Sequence, residues 1–131
     1  MLYATKFPWI RDERLRQELI SRFTLIEKLI YGIYTITGTT PDIDPFDGHL
    51  QLWTLTANST PTFDSFDNGG YITLQVDSST YDITWPEGMK WLGGEEPTLD
   101  QTDTNIIVIW KADDTLFGSF AGVASVVAEA P

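Results

Sequence analysis

The sequence predicts a mainly β protein in which an N-terminal helix precedes a small antiparallel β-sandwich or barrel. Apolar residues recur at helical spacing over residues 11–34, whereas from residue 49 onward apolar and polar residues alternate between turn signals. The chain has 131 residues, enough for one hydrophobic core but not for two. We therefore divide it into an N-terminal anchor segment and helix (1–37), a linker (38–48) and a β-domain (49–131).

The helix is predicted over residues 11–34. Opposite charges four residues apart, such as Asp12–Arg16 and Glu18–Arg22, support its exposed face, and Gly32 is a stop signal near its end. Apolar side chains separated by steps of four and three form a seam about two heptads long. This seam consists of Leu19, Phe23, Ile26, Ile30 and Ile33. It fits packing either against the protein's own β-domain or against copies of itself in a short parallel bundle.

The clearest strand signal is the alternation of Tyr71–Val76. Residues 81–85 alternate in the same way, and Asp77-Ser78-Ser79 between them predicts a hairpin. An earlier strand is predicted over residues 50–56, where a slip in the alternation between Leu52 and Trp53 indicates a bulge.

The remaining strands follow a Gly- and Pro-rich loop. Residues 105–111 are apolar on both faces, which is typical of a central strand in a packed sandwich. Two shorter strands are predicted over residues 116–120 and 123–128.

Charge is divided unevenly along the chain, whose net charge is −11. Residues 1–34 carry six basic and four acidic side chains, a net of +2, and residues 35–131 carry two basic and fifteen acidic ones, a net of −13. The acidic body opposes nucleic-acid binding, which needs clustered Lys and Arg. No apolar run approaches the ~20 residues of a membrane helix, so no membrane insertion is predicted.

No pattern for chemistry is found. The chain has no cysteine and one histidine, His49, and it lacks hydrolase, zinc-protease and phosphate-loop motifs. Asp42, Asp44 and Asp47 precede a glycine, but Pro45 interrupts the run and its spacing departs from that of a calcium loop. We therefore expect no metal, no cofactor and no enzymatic activity.

An apolar cluster stands near the N-terminus, where Phe7, Pro8 and Trp9 follow Lys6. A segment this short cannot form a core of its own. We predict that it inserts into a groove of a partner protein and anchors the chain there.

The most specific pattern lies in the C-terminal third. Its loop combines the residues Trp85, Pro86, Lys90, Trp91, Gly93, Gly94, Pro97 and Leu99. A hydrophobic strand over residues 106–110, an aspartate turn and the aromatic-glycine pair Phe117-Gly118 follow it. Over about Leu50 to Ala121 the chain resembles the C-terminal β-domain family of tailed-bacteriophage tail-fibre and virion appendage proteins.

This resemblance implies a phage virion structural protein, a short oligomeric fibre-type appendage on the tail or the head. The implied partners are the chain itself, as a homotrimer, other virion proteins and a host surface glycan or receptor. Two alternatives stay open: a capsid decoration (cement) protein and a soluble carbohydrate- or receptor-binding β-module. Within the loop, Trp91 fits either a lid on the core or a sugar-stacking surface.

Overall fold

The computed structural model describes residue 9 and residues 11–127, with the backbone alone at residues 28–31. Helix α1 spans Glu13–Tyr31. The Asp12 carboxylate caps it by accepting hydrogen bonds from the backbone N–H groups of Arg14 (2.9 Å) and Leu15 (3.2 Å). No helix of the described residues is long and apolar enough to cross a membrane.

The fold is mainly β with one N-terminal helix, as predicted. Six strands form one sheet in the order β1-β2-β3-β5-β6-β4. Their bounds are β1 Ile33–Ile36, β2 Leu50–Thr54, β3 Tyr71–Asp77, β4 Lys90–Trp91, β5 Thr104–Ala112 and β6 Thr115–Ala124. The two longest pairings, β3 with β5 and β5 with β6, are antiparallel, whereas β1–β2, β2–β3 and β4–β6 pair in parallel.

The helix is shorter than predicted, and the residues after it join the sheet. Gly32 separates α1 from β1, which pairs with β2 at one edge. Ile33, predicted as the last residue of the helical seam, therefore lies on a strand, because the β-branched residues around it favour extended backbone. The segment 38–48, predicted as a linker, contains a 3₁₀ helix at Pro45–Asp47 and contributes Ile43 to the core.

The hairpin predicted after β3 is wrong. Beyond Asp77 the chain leaves the sheet, and the Ser78 hydroxyl donates to the carbonyl of Asp100 at 2.9 Å. Residues 81–85 keep their alternating burial, but they pair only through an isolated bridge between Ser59 and Ile83. Burial alternates along this segment because its apolar side chains point to the core and the side chains between them point to solvent.

The core lies on one face of the sheet, here called the inner face. Strands β2, β3 and β5 supply Trp53, Ile72, Leu74, Val76, Ile107 and Ile109. The layer above them comes from connections rather than from a second set of strands. These connections contribute Leu55, Phe63, Phe66, Ile83 and Trp85.

No bulge occurs in β2, contrary to the prediction. The alternation looks broken because a polar residue, Gln51, occupies an inward position, fully buried. Its amide donates hydrogen bonds to the carbonyls of Asp44 (2.8 Å) and Gly48 (3.0 Å) and so holds the 3₁₀ helix against the sheet. The irregularity lies instead between β5 and β6, at Ile106/Ile107.

Candidate interaction surfaces

The opposite side of the sheet, here called the outer face, is apolar and only half-buried. Register and alternation place one set of residues on it. Its half-buried apolar members are Leu50, Leu52, Ile106, Val108, Trp110 and Phe117. Ile33, in register with Leu50, and Tyr71, in register with Trp110, lie exposed on the same face. Trp110 and Phe117 are stacked, with ring centroids 5.5 Å apart and planes at 8°.

Charge is confined to the margins of the outer face. Asp77 stands at the end of β3, and Lys90 on β4 is in register with Phe117. Between them the sheet presents Thr73, Gln75 and Ser119 among the apolar residues. In a chain of net charge −11, this is a surface on which another protein can approach without facing carboxylates.

This surface was misassigned from the sequence. The two apolar faces of residues 105–111 predicted burial on both sides, but only the inner side, with Ile107 and Ile109, is fully buried. The signal was present in the sequence. The apolar residues at alternate positions of 105–111 showed that the strand has a second apolar face, but not what covers that face.

The loop that carries the family resemblance packs against the core. Trp85 is buried and meets Trp91 edge to face, with centroids 5.1 Å apart and planes at 68°. The ring of Trp91 lies over Gly118 so closely that a Cβ there would stand 2.3 Å from Trp91 Cζ3. Leu99 also packs on the core from the far end of the loop. Trp91 therefore occupies the position that the lid interpretation requires.

The glycines of this loop turn the chain at its exposed tip. Gly93 and Gly94 have φ of +84° and +80°, values that L-residues with side chains rarely adopt. The backbone N–H of Gly94 donates to the carbonyl of Trp91 at 2.9 Å, and that of Leu92 donates to Gly118 at 2.9 Å. Pro86 and Pro97 stand on either side, outside the sheet.

The helical seam is partly accessible. Ile26 is 49% exposed and Leu25, beside it, is 50% exposed, whereas Leu19 is half-buried. Of the described elements, the 3₁₀ helix makes the most extensive contact with α1. Phe23 is 38% exposed, and the side chain of Ile30 lies outside the described residues.

The anchor cluster is described at one residue only. Trp9 is 69% exposed, and Phe7 and Pro8 lie outside the described residues. The anchoring role of this cluster stays a prediction.

Charge pairing along α1 differs in part from the sequence prediction. Arg22 pairs with Glu18 at 3.7 Å, as predicted. Arg16 pairs with Glu13 at 2.9 Å, three residues away, because Asp12 caps the helix end.

Two carboxylates organise turns rather than chemistry. Burial works to raise the pKa of Asp42, but hydrogen bonds from Ser65 and Thr62 outweigh it and lower that pKa below its ordinary value. The pKa of Asp100 is lowered by backbone hydrogen bonds from Asp103 (2.7 Å) and Thr102 (2.8 Å). Both carboxylates are therefore held as charged acceptors.

Two of the aspartates before Gly48 accept hydrogen bonds from neighbouring turns. The Asp44 carboxylate accepts from the backbone N–H of Phe46 at 2.9 Å, and Asp42 is bonded as described above. In the described part of the chain, no three metal-ligating side chains come together.

No family model matches this chain, and comparisons with curated proteins and with solved structures likewise find no match.

Proposed function

We propose that this chain is a non-catalytic structural protein of a bacteriophage virion, a short fibre-type appendage that assembles as a homo-oligomer, most simply a trimer. The outer face of the sheet carries the proposal. A face with six half-buried apolar side chains and charge only at its margins has the composition of an interface core. The resemblance of the Trp85–Leu99 loop to appendage β-domains supports the same assignment.

A second copy is the occupant that we propose for this face. Over the rest of the acidic body, carboxylates on two copies would repel each other. On the outer face this repulsion is smallest, because its charges lie only at the margins. Contact there would bury the stacked Trp110 and Phe117, and aromatic residues are enriched at interface cores. Ile26 and Leu25 on α1 offer a further apolar surface for a helical bundle at the base of the assembly.

Attachment to the particle is assigned to the N-terminal segment with Phe7, Pro8 and Trp9. The basic residues are concentrated in residues 1–34, whereas the body that follows is acidic. A chain divided in this way presents different chemistry to a partner virion protein and to solvent.

The oligomer is tested with Val108→Lys in the full chain. In a monomer the lysine would reach water from the half-buried outer face, so the fold survives, but in an assembly it would be an unpaired buried charge costing several kcal/mol. We expect sedimentation to give an oligomer for the parent chain and a monomer for the variant. Thr80→Lys adds the same charge at an exposed loop position and should leave the mass unchanged.

A parent chain that sediments as a monomer at every concentration, or a Val108→Lys variant of unchanged mass, would contradict the proposed interface. The virion role is tested separately by antibody labelling of intact particles. We expect the label at the tail or the head, and particles without the protein would contradict it.

A further inference from the structure

A cleft of about 300 Å³ opens beside the end of the sheet where β2 and β3 begin. The 3₁₀ helix forms one wall with Phe46, and His49 and Tyr71 stand at the starts of the two parallel strands. The turn 65–70 closes it with Asp67 and Gly70. Its volume lies at the lower end of the roughly 300–1,000 Å³ found for ligand pockets, which suits a single ring rather than a long chain.

Aromatic faces dominate the cleft and are accessible. Phe46 is 58% exposed and Tyr71 is 54% exposed. The rings of His49 and Tyr71 lie 4.7 Å apart between centroids, tilted by 40°. These exposed aromatic rings contribute little to the stability of the fold, because much of their apolar surface remains in contact with water. An exposed apolar surface beside a concavity is typical of a binding site.

The polar groups of the cleft have unused hydrogen-bonding capacity. Within the described residues, the Asp67 carboxylate, the His49 ring and the Tyr71 hydroxyl make no hydrogen bond to another group. A carboxylate only accepts, whereas a neutral imidazole and a phenol each donate and accept. The cleft therefore offers both donors and acceptors around its aromatic faces.

The floor of the cleft is held rigidly. The Asn68 amide exchanges two hydrogen bonds with Asp114, one to its carboxylate (2.9 Å) and one from its backbone N–H (2.8 Å). Lys111 Nζ donates to the carbonyl of Phe66 at 2.9 Å. A Cβ added at Gly70 would stand 2.9 Å from Pro45 Cγ, so glycine lets the 3₁₀ helix and the turn approach. A site fixed in this way needs little reorganisation to bind.

From this arrangement we infer a binding site for one neutral saccharide unit. A sugar ring has an apolar C–H face that packs on aromatic rings, and its hydroxyls donate and accept at its edge, which matches this set of groups. Asp67 and the acidic body disfavour anionic sugars by like-charge repulsion. A site built for an organic cation would need acceptors only, whereas His49 and Tyr71 also present donors.

The test of this inference measures ligand binding directly. Saturation-transfer NMR with the full chain is applied to the methyl glycosides of glucose, galactose, mannose and N-acetylglucosamine. We expect at least one to bind saturably, with the strongest transfer to C–H protons on one face of the ring. Phe46→Ala and Tyr71→Ala should each weaken that binding by about tenfold or more, because each removes a packing face.

Two further variants keep the test decisive. Asp67→Asn preserves size and leaves an exposed turn intact, and it should also weaken binding. Leu92→Ala is the matched control, since Leu92 is 65% exposed on a different loop and its loss should leave binding unchanged. Sedimentation of Phe46→Ala, Asp67→Asn and Leu92→Ala should give the parent mass, which separates this site from the oligomer interface. Tyr71 is in register with Trp110 on the outer face, so Tyr71→Ala is read on ligand binding alone.

Three results would overturn the inference. The first is the absence of saturable binding across the four glycosides. The second is undiminished binding in Phe46→Ala and Asp67→Asn. The third is binding of tetramethylammonium at this cleft while the neutral glycosides do not bind, which would identify a cation site instead.

Discussion

Replacing Trp91 with alanine should destabilise the fold by about 1–3 kcal/mol, because its ring covers one end of the core. A buried aromatic removes on the order of 200 Å² from water, worth about 5 kcal/mol at 25 cal/mol per Å². Two features of Trp91 reduce this figure. The residue is only half-buried, and its buried Nε1–H finds no acceptor among the described residues, a cost of about 1–3 kcal/mol that the substitution relieves.

A double-mutant cycle with Gly118→Ala makes this prediction specific. A methyl group at Gly118 would stand 2.3 Å from the Trp91 ring and force it off the core, so Gly118→Ala alone should also destabilise. Once Trp91 is alanine, the methyl group has space, and Gly118→Ala should cost little. We therefore expect a coupling energy of more than about 1 kcal/mol between the two sites.

Chemical denaturation of the four chains measures this coupling. Leu92→Ala, one residue away on the exposed side of the loop, is the control and should change stability by less than about 0.5 kcal/mol. Additive effects at Trp91 and Gly118, or a Trp91→Ala chain as stable as the parent, would refute the lid and favour the receptor-surface interpretation of this loop.

The remaining predictions concern assembly and pH. Ile26→Asp should dissociate a helical bundle if α1 is part of the interface, and an unchanged sedimentation mass with an intact fold would remove α1 from it. Deleting residues 1–10 should abolish incorporation into particles while the melting temperature of the β-domain stays nearly constant, and full occupancy of the truncated protein would contradict the anchor. The pKa values of Asp42 and Asp100 are lowered by folding from the ordinary 3.8, so their contribution to stability is fully present above that pH and is lost as the pH falls through the folded values. The melting temperature, measured from pH 6 to pH 2, should therefore decrease below about pH 4. Asp42→Asn should make this decrease smaller, and a variant with the same pH dependence as the parent would show that the Asp42 carboxylate does not contribute.

Much of the local structure can be predicted from the sequence. Helical spacing located α1 to within a few residues, period-two alternation located β3, and the run of residues 105–111 with two apolar faces located β5. The aspartate turn was also found: Asp113 and Asp114 form the two-residue connection of the β5–β6 hairpin with φ of +51° and +59°. These features depend on neighbouring residues, so the sequence carries them directly.

The pairing of strands could not be predicted in the same way. Alternation shows that a segment has two faces, but not whether its neighbour is parallel or antiparallel, nor whether the segment joins the sheet at all. Residues 81–85 alternate yet cover the core, and β1 pairs in parallel with β2 across a connection that the sequence predicted as a linker. Such partners are chosen by contacts distant in sequence.

Some features of the candidate surfaces could be predicted from the sequence, and others could be seen only in the structure. The sequence by itself determined the acidic body, the loop around Trp91 between Pro86 and Pro97, and the apolar second face of β5. Only the tertiary structure decided that this second face is half-buried rather than fully buried, and that Phe46, His49 and Tyr71 meet around one cleft. The physical reason is that burial depends on which residues surround a side chain in space, and long-range pairing brings those residues together.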